Sequence, residues 1–179
     1  MVPAHHLVTI QLVGCPDPDP TYERFFNPSR NKYSTDRAPI GHDYITALKK
    51  EVHKWLESIP ETEPIGCCFS GGIDSGAVFL AAYAVMREMD CDLGRLKAFT
   101  LTFGDGPDLQ QCKDFLGKLD MEMFLEPIES NLDDIDVAET IQIVEDYKIL
   151  DIESASMAVA LCRGIRNKYP DWKYLIDGD

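Results

Sequence analysis

Six consecutive residues, Ser70-Gly71-Gly72-Ile73-Asp74-Ser75, bring together groups that suit the handling of phosphate. Two glycines let the backbone approach an anion with no Cβ in the way and permit positive φ. Ser70 and Ser75 add hydroxyl donors. A helix beginning at this point would add unsatisfied N–H groups and the positive end of its dipole. Asp74 alone would repel phosphate, so its place in the cradle makes sense as a Mg²⁺ ligand, the cation neutralising the phosphate charge. The segment has neither the lysine nor the spacing of GxxxxGK[ST], and it is not GxGxxG; neither a Walker-type ATPase nor a dehydrogenase is indicated. A plain Gly-Gly turn with Asp74 or Ser75 as helix cap is the competing reading, and six residues of this chemistry at a strand-to-helix junction outweigh it.

The surrounding pattern supplies that junction. Ile65–Phe69 is a short uncharged apolar run, as expected for a strand buried on both faces, and Ala77–Met89 reads as an alanine-rich helix. Upstream, Ile45, Leu48, Val52, Trp55 and Leu56 share one helical face beginning near His42. Downstream, the pattern predicts strands over Lys97–Phe103, Met123–Ile128 and Trp172–Ile176. It predicts helices over Asp108–Leu119, Leu132–Tyr147 and Ser154–Lys168. Strand and helix in alternation mean an α/β fold, a parallel sheet with helices on both faces, whose ligands bind beyond the carboxyl ends of the strands. Residues 1–41 differ: one strand over Leu7–Val13, then a loop or arm with five prolines between Pro16 and Pro39. The expected division is therefore an arm over 1–41 and a nucleotide-binding domain over 42–179.

Composition narrows the function classes. The 179 residues carry 17 basic and 31 acidic side chains, a net charge of −14, which opposes nucleic-acid and anionic-membrane partners. No apolar stretch is long enough to span a bilayer, and MVPAHHLVTIQLVG has no basic leader, so a cytoplasmic protein is expected. Of six cysteines, Cys67 and Cys68 are adjacent within an apolar run, no CxxC pair occurs, and reduced core thiols are the reading. The four histidines lack metal-ligand spacing. Asp133, Asp134 and Asp136 read as solvated carboxylates at a helix start, and Ser154 and Ser156 as a helix cap or substrate contacts.

SGGIDS resembles the PP-loop, SGGxDS, of the N-type ATP pyrophosphatases, and the chain is similar to the synthetase domain of asparagine synthetase and β-lactam synthetase. The likeness runs from about Asp43 to Asp179 through PIGCCFSGGIDSGAV, KAFTLTFG with Pro107-Asp108, IVEDYKILDIESAS and KYLIDGD. It implies an adenine nucleotide alpha hydrolase-like, Rossmann-like three-layer sandwich. It implies ATP and Mg²⁺ as ligands: Ser70, Gly71, Gly72, Asp74 and Ser75 on the pyrophosphate portion, Asp74 on the metal, Phe69 and Leu101 bracketing adenine. Asp177 and Gly178 match a Ser-Gly pair whose backbone contacts the nucleotide. Glu145 and Tyr147 match a segment lining the acyl-substrate pocket, and Asp179 stands where the family has a catalytic glutamate.

The implied reaction is amide formation: a small-molecule carboxylate attacks the α-phosphorus of ATP, and an amine or ammonia then displaces AMP. Asp179 is one methylene shorter than the family residue. A downstream aspartate, a lysine and the N-terminal glutaminase domain have no counterpart here, so a truncated domain, served by a separate amidotransferase or partner subunit, is expected. The alternatives are another PP-loop enzyme, of the tRNA-thiolation, GMP or NAD synthetase type, or a non-catalytic nucleotide-binding module.

Overall fold

The computed structural model describes residues 2–12, 14, 19–27, 29, 35–104 and 106–178. The chain divides into two compact units, Met1–Gly41 and His42–Asp179. In the first, strand β1 (His6–Thr9) pairs antiparallel with β2 (Thr21–Arg24), His6 opposite Arg24 and Thr9 opposite Thr21. The strand expected over Leu7–Val13 is thus shorter, with Val13 outside the described residues, and the stretch expected to be irregular supplies its partner. Pairing satisfies backbone groups that proline-rich flanks cannot satisfy locally. The His5 ring packs edge-on against Phe25 and Phe26.

Helix α1 (Arg37–Glu57) starts five residues before the predicted point, because the Asp36 carboxylate accepts from the Ala38 N–H and caps it. Pro39 sits in the first turn, where an N–H is not needed. There follow β3 (Ile65–Cys68), α2 (Ile73–Glu88), β4 (Leu96–Thr102), α3 (Pro107–Gly117), β5 (Leu125–Glu129), α4 (Val137–Val144), α5 (Ile149–Lys168) and β6 (Tyr174–Ile176). The four strands pair parallel in the order β5-β4-β3-β6, as the alternating pattern requires.

Alternation along each strand splits the core in two. Ile65, Cys67, Leu96 and Ala98 face α1, α2 and α3, meeting Leu56, Phe79, Met86 and Leu116. On the other face, Phe99 and Ile128 meet Leu161 and Ile165 of α5, with Tyr169 tilted and Trp172 edge-on against Phe99. The sheet is therefore covered on both sides. From β3 the chain winds outward through β4 to β5, then returns by α4 and α5 to lay β6 on the opposite flank of β3. A change of winding direction opens a crevice beyond the strand ends, and the loop after β3 lies at it.

Beyond the start of α1, other helix boundaries also differ from the sequence reading. Helix α2 begins at Ile73, not Ala77, which brings Asp74 and Ser75 into its first turn. The helix expected over Leu132–Tyr147 is broken into a 3₁₀ turn (Leu132–Asp134) and the short α4, because Asp134 closes a capping box with Asn131 and Asp136 caps α4 through the Glu139 N–H. Ser154 and Ser156 are not caps, since α5 already starts at Ile149; Ser156 is buried and donates to Thr140 across the α4–α5 contact, 3.2 Å away.

Candidate functional site

The loop between β3 and α2 is held by its own hydroxyls. Ser70 Oγ and Ser75 Oγ share a hydrogen bond of 3.0 Å, the Ser70 N–H donates to Ser75 Oγ at 3.3 Å, and the Gly72 N–H donates to Ser70 Oγ at 3.3 Å. Gly72 is the N-cap residue of α2, and no side chain caps that helix. The first-turn N–H groups consequently point out of the helix with no side-chain acceptor, the arrangement that attracts an anion. Gly71 adopts φ +71°, and a Cβ there would lie 3.0 Å from the backbone nitrogen of Cys112 in α3. Only glycine accommodates both demands.

Gly178, two residues past β6, closes on the same corner. A Cβ on it would sit 2.8 Å from Ser75 N and 2.9 Å from the Asp74 carbonyl carbon, so backbone lies against backbone. The Gly178 N–H is turned back onto Asp177 Oδ1 at 2.7 Å.

Above this corner is a cleft of about 400 Å³. Ser70, Gly72, Asp74, Ser75, Asp177 and Gly178 line its polar end. Leu101 joins Met157 and Leu161 of α5 in its apolar wall. The structure thus brings together the sequence-predicted phosphate residues, Leu101 and the Asp177-Gly178 pair, and Gly71 braces the loop from behind. Phe69 lines the cleft as well; the residue is only 3% exposed, and its ring packs between Phe79 and Phe115 at 5.6 and 5.5 Å, so most of the ring is committed to the core. Strand alternation puts it there: Phe69 continues β3, whose alternate residues Ile65 and Cys67 face the same side.

Glu145 and Tyr147 do not line the cleft. They sit in the link between α4 and α5, Glu145 at φ +52° ending α4 and Tyr147 81% exposed. That link is tied by Asp146, whose carboxylate accepts from the N–H groups of Tyr147 and Lys148 and pairs with the Lys148 ammonium. Lys148 first, and those two N–H groups with it, hold Asp146 down at about 2. Asp179 lies outside the described residues.

Sequence reasoning missed the far wall. Met157, Leu161 and Cys162 come from α5, about ninety positions after the loop, and only packing of α5 across the sheet brings them in. Asp108, in the first turn of α3, faces the same cleft and had a signal in its position just beyond β4. Cys162 is exposed, and partial burial first, then the Asp177 charge, pushes its thiol up. Burial likewise pushes Cys67 up, which suits the reading of a packed thiol rather than a nucleophile. Cys67, Cys91, Cys112 and Cys162 are free thiols. Among the described residues no three His, Cys, Asp or Glu side chains form a metal-holding group, and no helix is long and apolar enough to cross a membrane.

Comparison with known proteins gives one family. The family model for asparagine synthase matches residues 46–174, which takes in the loop, strands β3 to β5 and α5. Among solved structures, an NH3-dependent NAD synthetase from Campylobacter jejuni superposes with a TM-score of 0.49 at 12% identity, over 77% of this chain and 56% of its own. The chain therefore spans little more than half the length of that protein. No curated protein sequence matches it.

Proposed function

The chain belongs to the asparagine synthase family of the PP-loop superfamily, and from that premise we propose that its cleft binds ATP and activates a carboxylate for amide formation. The observation that carries the reading is the uncapped start of α2, presented with two serine hydroxyls at the polar end of a cleft whose other wall is apolar. Phosphate oxygens take the first-turn N–H groups and the hydroxyls of Ser70 and Ser75, which in the free loop satisfy one another. Adenine lies along Leu101, Met157 and Leu161, and the Asp177-Gly178 backbone covers the nucleotide.

Asp74 and Asp177 offer oxygen donors at the phosphate end, and a Mg²⁺ ion needs only one or two carboxylates beside phosphate oxygens and water, so the residues fit that ion. When bound, it would neutralise charge on the phosphates. The remaining work falls to the chain. Attack of the substrate carboxylate on the α-phosphorus forms an acyl–phosphate bond and expels pyrophosphate. The loop N–H groups stabilise the negative charge gathering on the departing oxygens. An amine or ammonia then attacks the acyl carbon and releases AMP, giving the amide. On the family resemblance, Glu145 and Tyr147 are assigned to the acyl-substrate side and Asp179 to the amide-forming step. Nitrogen comes from free ammonia or a separate amidotransferase subunit. The free thiols of Cys67, Cys91, Cys112 and Cys162 favour a reducing, cytoplasmic setting.

Titration calorimetry with ATP and Mg²⁺ tests binding, and ATP–pyrophosphate exchange across a panel of amino-acid and simple carboxylates tests activation. Heat with the parent and none with Gly71→Val is the expected result. No heat with the parent removes the proposal; heat without exchange in a full-length protein leaves the non-catalytic nucleotide-binding module.

A further inference from the structure

Beneath the phosphate loop is a buried polar cluster, reaching the cleft wall at Thr100, to which the proposed nucleotide contacts give no role. The Thr100 hydroxyl, in a side chain 1% exposed, donates to the Phe69 carbonyl. Cys112, fully buried on α3, lies 3.0 Å from the same hydroxyl and 3.6 Å from the same carbonyl. Phe69 is the last residue in ladder contact with β4, its N–H donating to the Phe99 carbonyl at 2.8 Å. Its carbonyl is therefore the first backbone group of the loop, and side chains rather than the sheet hold it.

That carbonyl shares a rigid plane with the Ser70 N–H. In a trans peptide the two point opposite ways, and the plane turns only as a unit. With the carbonyl pinned downward by Thr100, the Ser70 N–H is aimed up at Ser75 Oγ, 3.3 Å away. Ser75 Oγ in turn meets Ser70 Oγ and the Gly72 carbonyl. Turning this one peptide would break the contact at Ser75 and re-aim both hydroxyls. Cys112 acts from the same side twice, because its backbone nitrogen is also the atom that a Gly71 Cβ would strike.

We propose that Thr100 is a positioning residue of the phosphate loop: its buried hydroxyl fixes the Phe69–Ser70 peptide plane, and with Cys112 it presets the loop for the phosphate chain. The inference rests on the ATP reading for its ligand but not for its geometry. Threonine is needed here for the hydroxyl rather than the methyl group; at a buried strand position, valine fills the same space and cannot donate.

The test compares the parent with Thr100→Val and Thr100→Ser, using ATP, pyrophosphate and adenosine as probes, together with amide hydrogen exchange of the loop without ligand. Thr100→Val should weaken ATP and pyrophosphate about tenfold, the worth of one buried hydrogen bond, and leave adenosine unchanged. Exchange across residues 69–76 should quicken. Thr100→Ser, which keeps the hydroxyl, should restore both. Equal weakening of ATP and adenosine, or unchanged exchange at the loop, overturns the proposal. If the parent binds no ATP, the nucleotide reading fails while the exchange comparison still decides whether Thr100 sets the loop. Should Thr100→Val not fold, Cys112→Ala reads the same peptide from its second partner, and unchanged loop exchange there overturns the proposal too.

Discussion

Gly71 lies against Gln111 and Cys112 of α3, and Gly178 against the backbone of Asp74 and Ser75 at the start of α2. At Gly71 an alanine would combine φ +71° with a Cβ 3.0 Å from Cys112 N. We expect Gly71→Ala to cost about 1–2 kcal/mol, read from denaturant unfolding. Gly178→Ala should spare most of the stability, since it lies beyond the paired residues of β6, and weaken ATP instead, because its Cβ pushes at Ser75 N. Calorimetry would show this as a raised Kd with a melting curve close to the parent's. Asp74 carries a separate expectation. If it holds the cation, the parent's affinity for ATP should rise when Mg²⁺ is added, and Asp74→Asn should lose most of that rise; an unchanged Mg²⁺ response would remove Asp74 from the metal.

Across the elements, the edge of the sheet is tied to α5 through one carboxylate. Glu126 on β5 pairs with Lys97 of β4 and with Lys168 at the end of α5. Burial opposes its charge, but hydrogen bonds from Lys168, Tyr169 and Lys97 win, and Glu126 is held at about 2. Tyr169 moves the other way, to about 12, through burial and its bond to Glu126. A carboxyl whose folded value lies below its ordinary ~4.3 favours folding when ionised. Its contribution is present in full above about pH 4.5 and is lost as pH falls toward 2. Glu126→Gln should therefore lower stability at neutral pH and flatten the acid limb of the stability profile, measured by urea unfolding between those limits. A variant whose acid limb matches the parent's would show that Glu126 is not the group titrating. Closer in, a Cβ on Gly164 of α5 would fall 2.2 Å from Ile128 Cγ2, so Gly164→Ala should force α5 off the sheet and cost about 1–3 kcal/mol. Helix periods and apolar strands were legible because each repeats every few residues; the break of 132–147 was not, since capping by Asn131 and Asp136 competes with a pattern that runs on unbroken.

At the scale of the whole molecule, the charge of −14 is a uniform pressure on the folded state. Raising salt from about 10 mM to about 150 mM shortens the screening length from about 30 to about 8 Å and should raise the melting temperature. The same charge predicts no gel shift with tRNA at physiological salt; a shift would favour the tRNA-thiolation alternative. ATP with Mg²⁺ should stabilise the chain in proportion to the logarithm of its concentration.

By itself the sequence determined where the candidate anion loop falls and what kind of sheet carries it. Glycine pairs, helix starts and short apolar runs are local properties, and SGGIDS between two such runs has few other places to go. Tertiary structure decided what the local pattern leaves open. Phe69 turns its ring into the core because β3 is buried on that side, the apolar wall of the cleft comes from α5 across the sheet, and Thr100 meets the Phe69 carbonyl through the pairing of β3 with β4. The last two join residues thirty or more positions apart, and all three depend on strand order and the side each helix packs on, which no run of neighbouring residues encodes.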